Sequence, residues 1–112
     1  MKKTEVVAAL AALAQDSRLD VFRLLVQAGP GGASAGYIGQ RLDIAASNLT
    51  FHLDRLRHAG LITVRREGRS MIYAARYDNM NALLAYLSEN CCKGVDSSCV
   101  KPAARKRVKE SA

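Results

Sequence analysis

Three cysteines, Cys91, Cys92 and Cys99, fall within the stretch ENCCKGVDSSCV, and the 112-residue chain has no others. Thiolate is a soft ligand, so such a cluster suits a thiophilic ion. Three sulfurs underserve zinc, which takes four ligands in a tetrahedron. The same thiols admit a redox pairing of Cys91 or Cys92 with Cys99. A third chemistry is catalytic: CVKPAAR, Cys99 to Arg105, has the Cys-x5-Arg spacing of phosphatases and thiol arsenate reductases. Against it, the stretch is a polar tail with no parallel sheet before it, and Pro102 removes one amide that an oxyanion cradle needs. An odd count with two adjacent members does not make a secreted disulfide framework; reduced thiols in the cytoplasm fit better.

The charge balance narrows the partner. The chain carries 17 Lys and Arg against 10 Asp and Glu, a net of +7. The excess sits in residues 41–76 and 91–112, each with a net of +4. Two basic patches suit a polyanion, most simply nucleic acid, although they also serve as a solubilising surface. At this length one domain with a modest core is expected, and a partner subunit completes it readily.

Elements must position these groups. MKKTEVVAALAALAQD imitates a secretory signal, but Glu5 interrupts it and the apolar run is short. It reads instead as a helix over 4–14 with Val6, Leu10 and Leu13 on one stripe. Asp16 or Ser17 is expected to cap a second helix with Leu19, Phe22, Leu25 and Val26 inward. AGPGGAS at 28–34 breaks it. A short third helix runs from Ser34 to about Leu42. A fourth, SNLTFHLDRLRHAG, ends at Gly60. In it Leu49, Leu53 and Leu56 face the core, so Ser47, Thr50, Phe51, Asp54, Arg55 and His58 face away, with Asn48 and His52 on the flanks. LITVRREGRSMIYAARY then reads as a hairpin, 61–66 and 69–76, turned at Glu67-Gly68, with Arg65, Arg66 and Arg69 at its tip. Asp78 is expected to cap a last helix to about Asn90, with Met80, Leu83, Leu84 and Leu87 on one stripe that Cys91 continues. Residues 1–90 form the folded domain and 91–112 the thiol segment and basic tail. No apolar run of 18 residues occurs, so no membrane span is expected.

Helix, helix, short helix, helix, hairpin, helix is the order of a winged helix-turn-helix domain, mainly α with a β-hairpin wing. The stretch DIAASNLTFHLDRLRHAGLITVRREGRSMIYA resembles the ArsR/SmtB family of metal-responsive repressors. The residues that carry it are His52, Leu53, Leu56, Ala59, Gly60, Leu61 and Ile62, then the wing residues Arg66, Glu67, Gly68 and Arg69. The resemblance implies a homodimer built from the first and last helices. The terminal stripes Val6/Leu10/Leu13 and Leu83/Leu84/Leu87 agree with it. It further implies a DNA-binding repressor, not an enzyme, whose two recognition helices enter major grooves about 34 Å apart. The candidate contacts are Ser47, Asn48, Thr50, Phe51, His52 and Arg55, with Arg65, Arg66 and Arg69 on phosphates. Phe51 touches a thymine methyl or folds back into the core; His52 reads DNA or packs.

Family members sense ligands through differently placed sites. The Cys-Val-Cys box of many arsenic sensors is missing here, because the helix before the recognition helix reads AGYIGQRLD. The zinc site of the last helix is missing too, because residues 78–90 hold no His. NCCKGVDSSC resembles a third arrangement, a Cys-Cys pair after the last helix plus one more thiol. That implies As(III), and possibly Sb(III), as inducer on Cys91, Cys92 and Cys99, matching the pyramidal three-thiolate preference of As(III). In a continuous helix the side chains at 91 and 92 diverge by about 100°. Capture is therefore expected to unwind a helix end that otherwise runs on. The basic tail adds DNA affinity or stays an inert solvated end.

Overall fold

The computed structural model describes residues 1–94. Cys99 and the basic tail, on which two of the expectations above fall, lie outside the described residues. The elements are α1 (Lys3–Leu13), α2 (Asp16–Ala28), β1 (Ala33–Ser34), α3 (Ala35–Leu42), α4 (Ala46–His58), β2 (Ile62–Glu67), β3 (Ser70–Ala75) and α5 (Tyr77–Ser88), followed by a 3-10 turn, Cys91–Gly94. This is the expected order: mainly helical with a β-hairpin wing. One addition is β1, which pairs antiparallel with β3 and makes a three-stranded sheet, β1-β3-β2. Among the described residues no helix is long and apolar enough to cross a membrane.

The core explains why the helices lie as they do. Val6, Ala9 and Ala12 of α1 meet Val21, Phe22 and Leu25 of α2, Ile38 of α3, Leu49, Leu53 and Leu56 of α4, and Leu83 of α5. No polar or charged side chain is buried among the described residues. The Leu49/Leu53/Leu56 stripe is as expected. The α1 stripe is corrected: Val6 is inside but Leu10 is 41% exposed, because the alanines at 9 and 12 bring the backbone close. In α2, Val21 takes the inward place expected of Leu19, which is 43% exposed.

Several helix ends differ from expectation. The N-cap of α2 is Gln15, whose Oε1 accepts from the Arg18 amide at 2.8 Å, one residue before Asp16. Arg76, with no capping side-chain bond, is the N-cap of α5. Asp78 lies one residue inside the helix and pairs with Arg76 at 3.2 Å. That hydrogen bond, with the Asn79 amide, holds the Asp78 carboxyl below its usual pKa. Helix α4 closes as expected on Gly60, at φ 79. The Gly60 amide donates to Arg57 O and the Leu61 amide to Leu56 O, both at 3.0 Å, which is a Schellman closure. Leu56 and Leu61 are both fully buried, supplying its apolar contact. The wing turns on Gly68 (φ 61) and Arg69, between the paired Glu67 and Ser70. A positive φ at the first of two loop residues suits the right-handed twist of a hairpin.

The largest correction concerns the end of α5. It stops at Ser88 rather than Asn90. The Ser88 hydroxyl donates to Leu84 O at 2.9 Å, and Asn90 turns left-handed at φ 59. A side chain that bonds its own helix carbonyls, followed by an Asn in the left-handed region, ends a helix. Cys91 therefore does not continue the apolar stripe of α5. The chain has left the α-helix before it reaches Cys91.

Candidate nucleic-acid interface and thiol site

The outer face of α4 is built by exclusion. With Leu49, Leu53 and Leu56 committed to the core, Ser47, Asn48, Thr50, Phe51 and Arg55 are exposed. The helix starts at Ala46 on Ala45, with no capping side chain, so Ser47 and Asn48 sit in its first turn. The Thr50 hydroxyl donates to Ala46 O at 3.0 Å. It keeps lone pairs but not its proton, which weakens its expected reach to phosphate. Phe51 does not fold back: it is 53% exposed. The Arg55 guanidinium lies 5.1 Å from its ring centroid, a cation–π contact. The His58 Nδ1 lies 2.7 Å from Asp54 O, so that nitrogen carries the proton and donates.

His52 is the packed alternative rather than the exposed one. Its ring is half-buried, edge-on to Phe51 with centroids 5.8 Å apart. Its Nδ1 is buried and lacks a hydrogen-bond partner among the described residues. Burial, and next the positive charge of Arg18, lower its pKa below the ordinary value of 6.5. The fold thus favours neutral His52. As pH falls below 6.5 the unfolded chain takes up a proton that the folded chain resists. Stability is fully present above that value and declines as pH falls toward the folded pKa. Denaturant titrations at pH 7.5 and 5.5 are expected to show a loss for wild type that is smaller for His52→Leu.

The wing arginines separate. Register pairs Arg65 with Ile72 and Arg66 with Met71. Adjacent residues of a strand point to opposite faces, so Arg65 and Arg66 cannot both address one ligand. Arg65 Nε donates to Glu67 at 2.7 Å and its NH2 to Gly31 O at 2.8 Å. It ties the wing to the loop before β1. Among the described residues Arg66 bonds only to Gly68 O, at 3.2 Å, and Arg69 is exposed. The free cationic groups of the wing are therefore Arg66 and Arg69.

At the other end, the Cys91 Sγ lies 3.8 Å from the Cys92 Sγ. Cys92 adopts φ 52, in the left-handed region. This backbone turns the two thiols toward each other, where a helix would splay them. Cys91 is a free thiol, and Cys92 is disulfide-bonded. Among the described residues no group of three or more His, Cys, Asp or Glu side chains converges on a point. A three-sulfur set needs Cys99.

Three side chains and one backbone amide that tie the site to the scaffold went unread in the sequence. The Asn79 Nδ2 donates to Gly60 O at 2.8 Å, and the Arg76 amide to Leu61 O at 2.8 Å. Both fasten the start of α5 to the end of α4. The Tyr77 hydroxyl is 2.9 Å from Val26 O and 3.3 Å from Leu25 O, clamping α5 to the end of α2. The Arg18 Nε donates to Ala12 O at 2.7 Å, satisfying a carbonyl at the end of α1. The signal was present. Arg18 precedes Val21, Phe22 and Leu25 by three, four and seven residues, and Asn79 precedes Leu83 by four. Polar residues on a buried stripe need partners.

The comparisons with known proteins agree with this architecture. Residues 13–65 match the family described as a helix-turn-helix domain. The HTH-type transcriptional regulator YgaV of Escherichia coli is 31% identical over 88 residues, spanning 79% of this chain and 87% of that protein. The structure of an ArsR-like transcriptional regulator from Rhodococcus superposes with a TM-score of 0.68 at 26% identity, covering 76% of this chain and 77% of the other. The homodimeric winged helix-turn-helix DNA-binding domain of Mb0332 from Mycobacterium bovis, a possible ArsR-family regulator, gives a TM-score of 0.63 at 26% identity, covering 78% and 81%. Order of elements, the α4–wing junction and these relatives converge on one assignment: the chain belongs to the helix-turn-helix transcriptional regulators, of the ArsR-like winged-helix type.

Proposed function

We propose that this regulator is a repressor that binds operator DNA as a homodimer and releases it when its cysteines capture As(III) or Sb(III). The observation that carries the reading is the 3.8 Å approach of the Cys91 and Cys92 sulfurs just past α5. Two ion–sulfur bonds of about 2.3 Å bridge up to about 4.6 Å, so both sulfurs reach one ion without further movement. Cys99 supplies the third thiolate. Zinc remains underserved, whereas a pyramidal three-sulfur ion is not. The Cys92 disulfide must first be reduced: two cellular thiols give up two electrons and two protons, become a disulfide themselves, and leave Cys92 and its partner as thiols.

The dimer supports coupling. Val7 and Leu10 of α1 and Leu84 and Leu87 of α5 are 57, 41, 42 and 58% exposed. α1 packs beside α5. These apolar side chains are covered by the same helices of a second copy across a two-fold axis. The relative from Mycobacterium bovis is homodimeric. Capture distorts the end of α5 at that interface, and the Asn79–Gly60 bond passes the movement to the end of α4. The two α4 helices then leave operator spacing. By linkage, DNA weakens arsenite binding by the same factor, about 5–150-fold. Asn79→Ala is expected to cost about 1 kcal/mol of stability. It should also shrink the arsenite effect on DNA affinity while leaving arsenite affinity of the free protein unchanged; a binding titration with and without DNA checks both.

On the DNA side, Ser47, Asn48, Phe51 and Arg55 read base edges, and Arg66 and Arg69 hold phosphate. Arg66→Ala should lower the slope of log affinity against log salt by about 1. Arg65→Ala should leave that slope unchanged, because its guanidinium serves Gly31 and Glu67. Affinities measured between 50 and 200 mM salt, by fluorescence anisotropy on a duplex selected from a random library, decide this.

The disulfide at Cys92 favours a second reading, a thiol redox-sensing repressor of the same fold. One experiment separates them. The full chain is reduced by a phosphine and titrated on labelled duplex with arsenite; a second portion, freed of the phosphine, is titrated with peroxide. Release by arsenite under reduction supports the first reading. Release by peroxide alone supports the second.

A further inference from the structure

A cavity of about 410 Å³ lies under α1, where α1, α2 and the end of α4 meet. Its walls include Ala8, Ala12 and Ala59, and its polar lining is Arg18, Arg55 and His58. No carboxylate lines it among the described residues. Neither Arg18 nor Arg55 has an ion pair among the described residues. Arg18 is anchored by its Nε on Ala12 O, which fixes the guanidinium plane and leaves both terminal nitrogens without a hydrogen-bond partner among the described residues. The Arg55 guanidinium lies over the Phe51 face. Two unneutralised guanidiniums over an apolar floor form an unusual concentration of positive charge. A fork of N–H donors suits a carboxylate, and methyl walls suit an apolar body.

We infer that this cavity binds a small organic carboxylate with a compact apolar body, held between Arg18 and Arg55. Its volume falls within the range of small-molecule sites, about 300–1,000 Å³. Neither Cys91 nor Cys92 lines it. One consequence rests on the proposed DNA reading: Arg55 cannot serve the carboxylate and the major groove together, so ligand and operator compete for it.

Benzoate and hexanoate are the probes, with inorganic phosphate as control, titrated into isotope-labelled full-length protein without DNA. Binding in the range of about 0.1–1 mM is expected. The Ala8, Ala12 and Ala59 methyl signals and the Arg18 and Arg55 side-chain signals should shift together. Ala8→Leu, which fills the cavity from an exposed helix position, should weaken binding at least about tenfold, and Arg18→Gln likewise. Circular dichroism confirms that each variant folds. No shift at 10-fold above that range, on the order of 10 mM, would overturn the inference. So would identical shifts in Ala8→Leu, or phosphate binding as tightly at the same signals, which marks a plain anion patch. If benzoate binds but leaves duplex affinity unchanged, the site stands and the role of Arg55 in DNA reading falls.

Discussion

Replacing Cys91 by Ser is expected to abolish the response to arsenite while leaving DNA affinity in its absence unchanged. Cys91 is the free thiol beside Cys92, half-buried past the end of α5, and is not among the proposed DNA contacts. Substitution of groups behind a metal ligand costs about 10–100-fold in affinity. Loss of a ligand itself should cost at least about 100-fold. A hydroxyl neither ionises near pH 7 nor offers a soft donor, so Ser keeps the shape and removes the chemistry. The measurement is the arsenite concentration that halves anisotropy of bound duplex. Cys92→Ser and Cys99→Ser should behave alike. A variant that still releases at the wild-type concentration removes its residue from the site.

The second large effect is structural. Leu53 is 1% exposed at the centre of α4, between Leu49 and Leu56. Leu53→Ala is expected to destabilise by about 2–5 kcal/mol. That is a large share of the 5–15 kcal/mol ordinary for a domain. At about 4–8 °C per kcal/mol, Tm should fall by roughly 10 °C or more. Phe51→Ala, two residues away but 53% exposed, should change stability by no more than about 0.5 kcal/mol. The pair separates packing from recognition: Leu53→Ala lowers Tm, and Phe51→Ala lowers DNA affinity at constant Tm. Thermal unfolding followed by circular dichroism, beside anisotropy, checks both.

The face of α4 was legible because leucines at four- and three-residue spacing leave one choice of orientation. Helix α1 was not, because Ala and Val surround it and the pattern selects no face; tight approach through Ala9 and Ala12 decided it. Three wing arginines in five residues looked equivalent in sequence. They parted once the pairing register set Arg65 and Arg66 on opposite faces and the Gly31 carbonyl, 34 residues earlier, engaged one of them. The end of α5 was misplaced because an apolar period continuing to Cys91 outweighed the local chemistry of Ser88 and Asn90. The unwinding expected to follow ligand capture is instead built into the chain. That lowers the conformational cost of bringing Cys91 and Cys92 together.

The central claim is that three sulfurs of this chain close on one ion. Arsenic X-ray absorption on the phosphine-reduced, full-length protein loaded with one equivalent of arsenite tests it directly. The account predicts a first shell of three sulfurs and no oxygen, falling to two sulfurs and one oxygen in Cys99→Ser. A wild-type shell that keeps oxygen, or one that Cys99→Ser leaves unchanged, would contradict it.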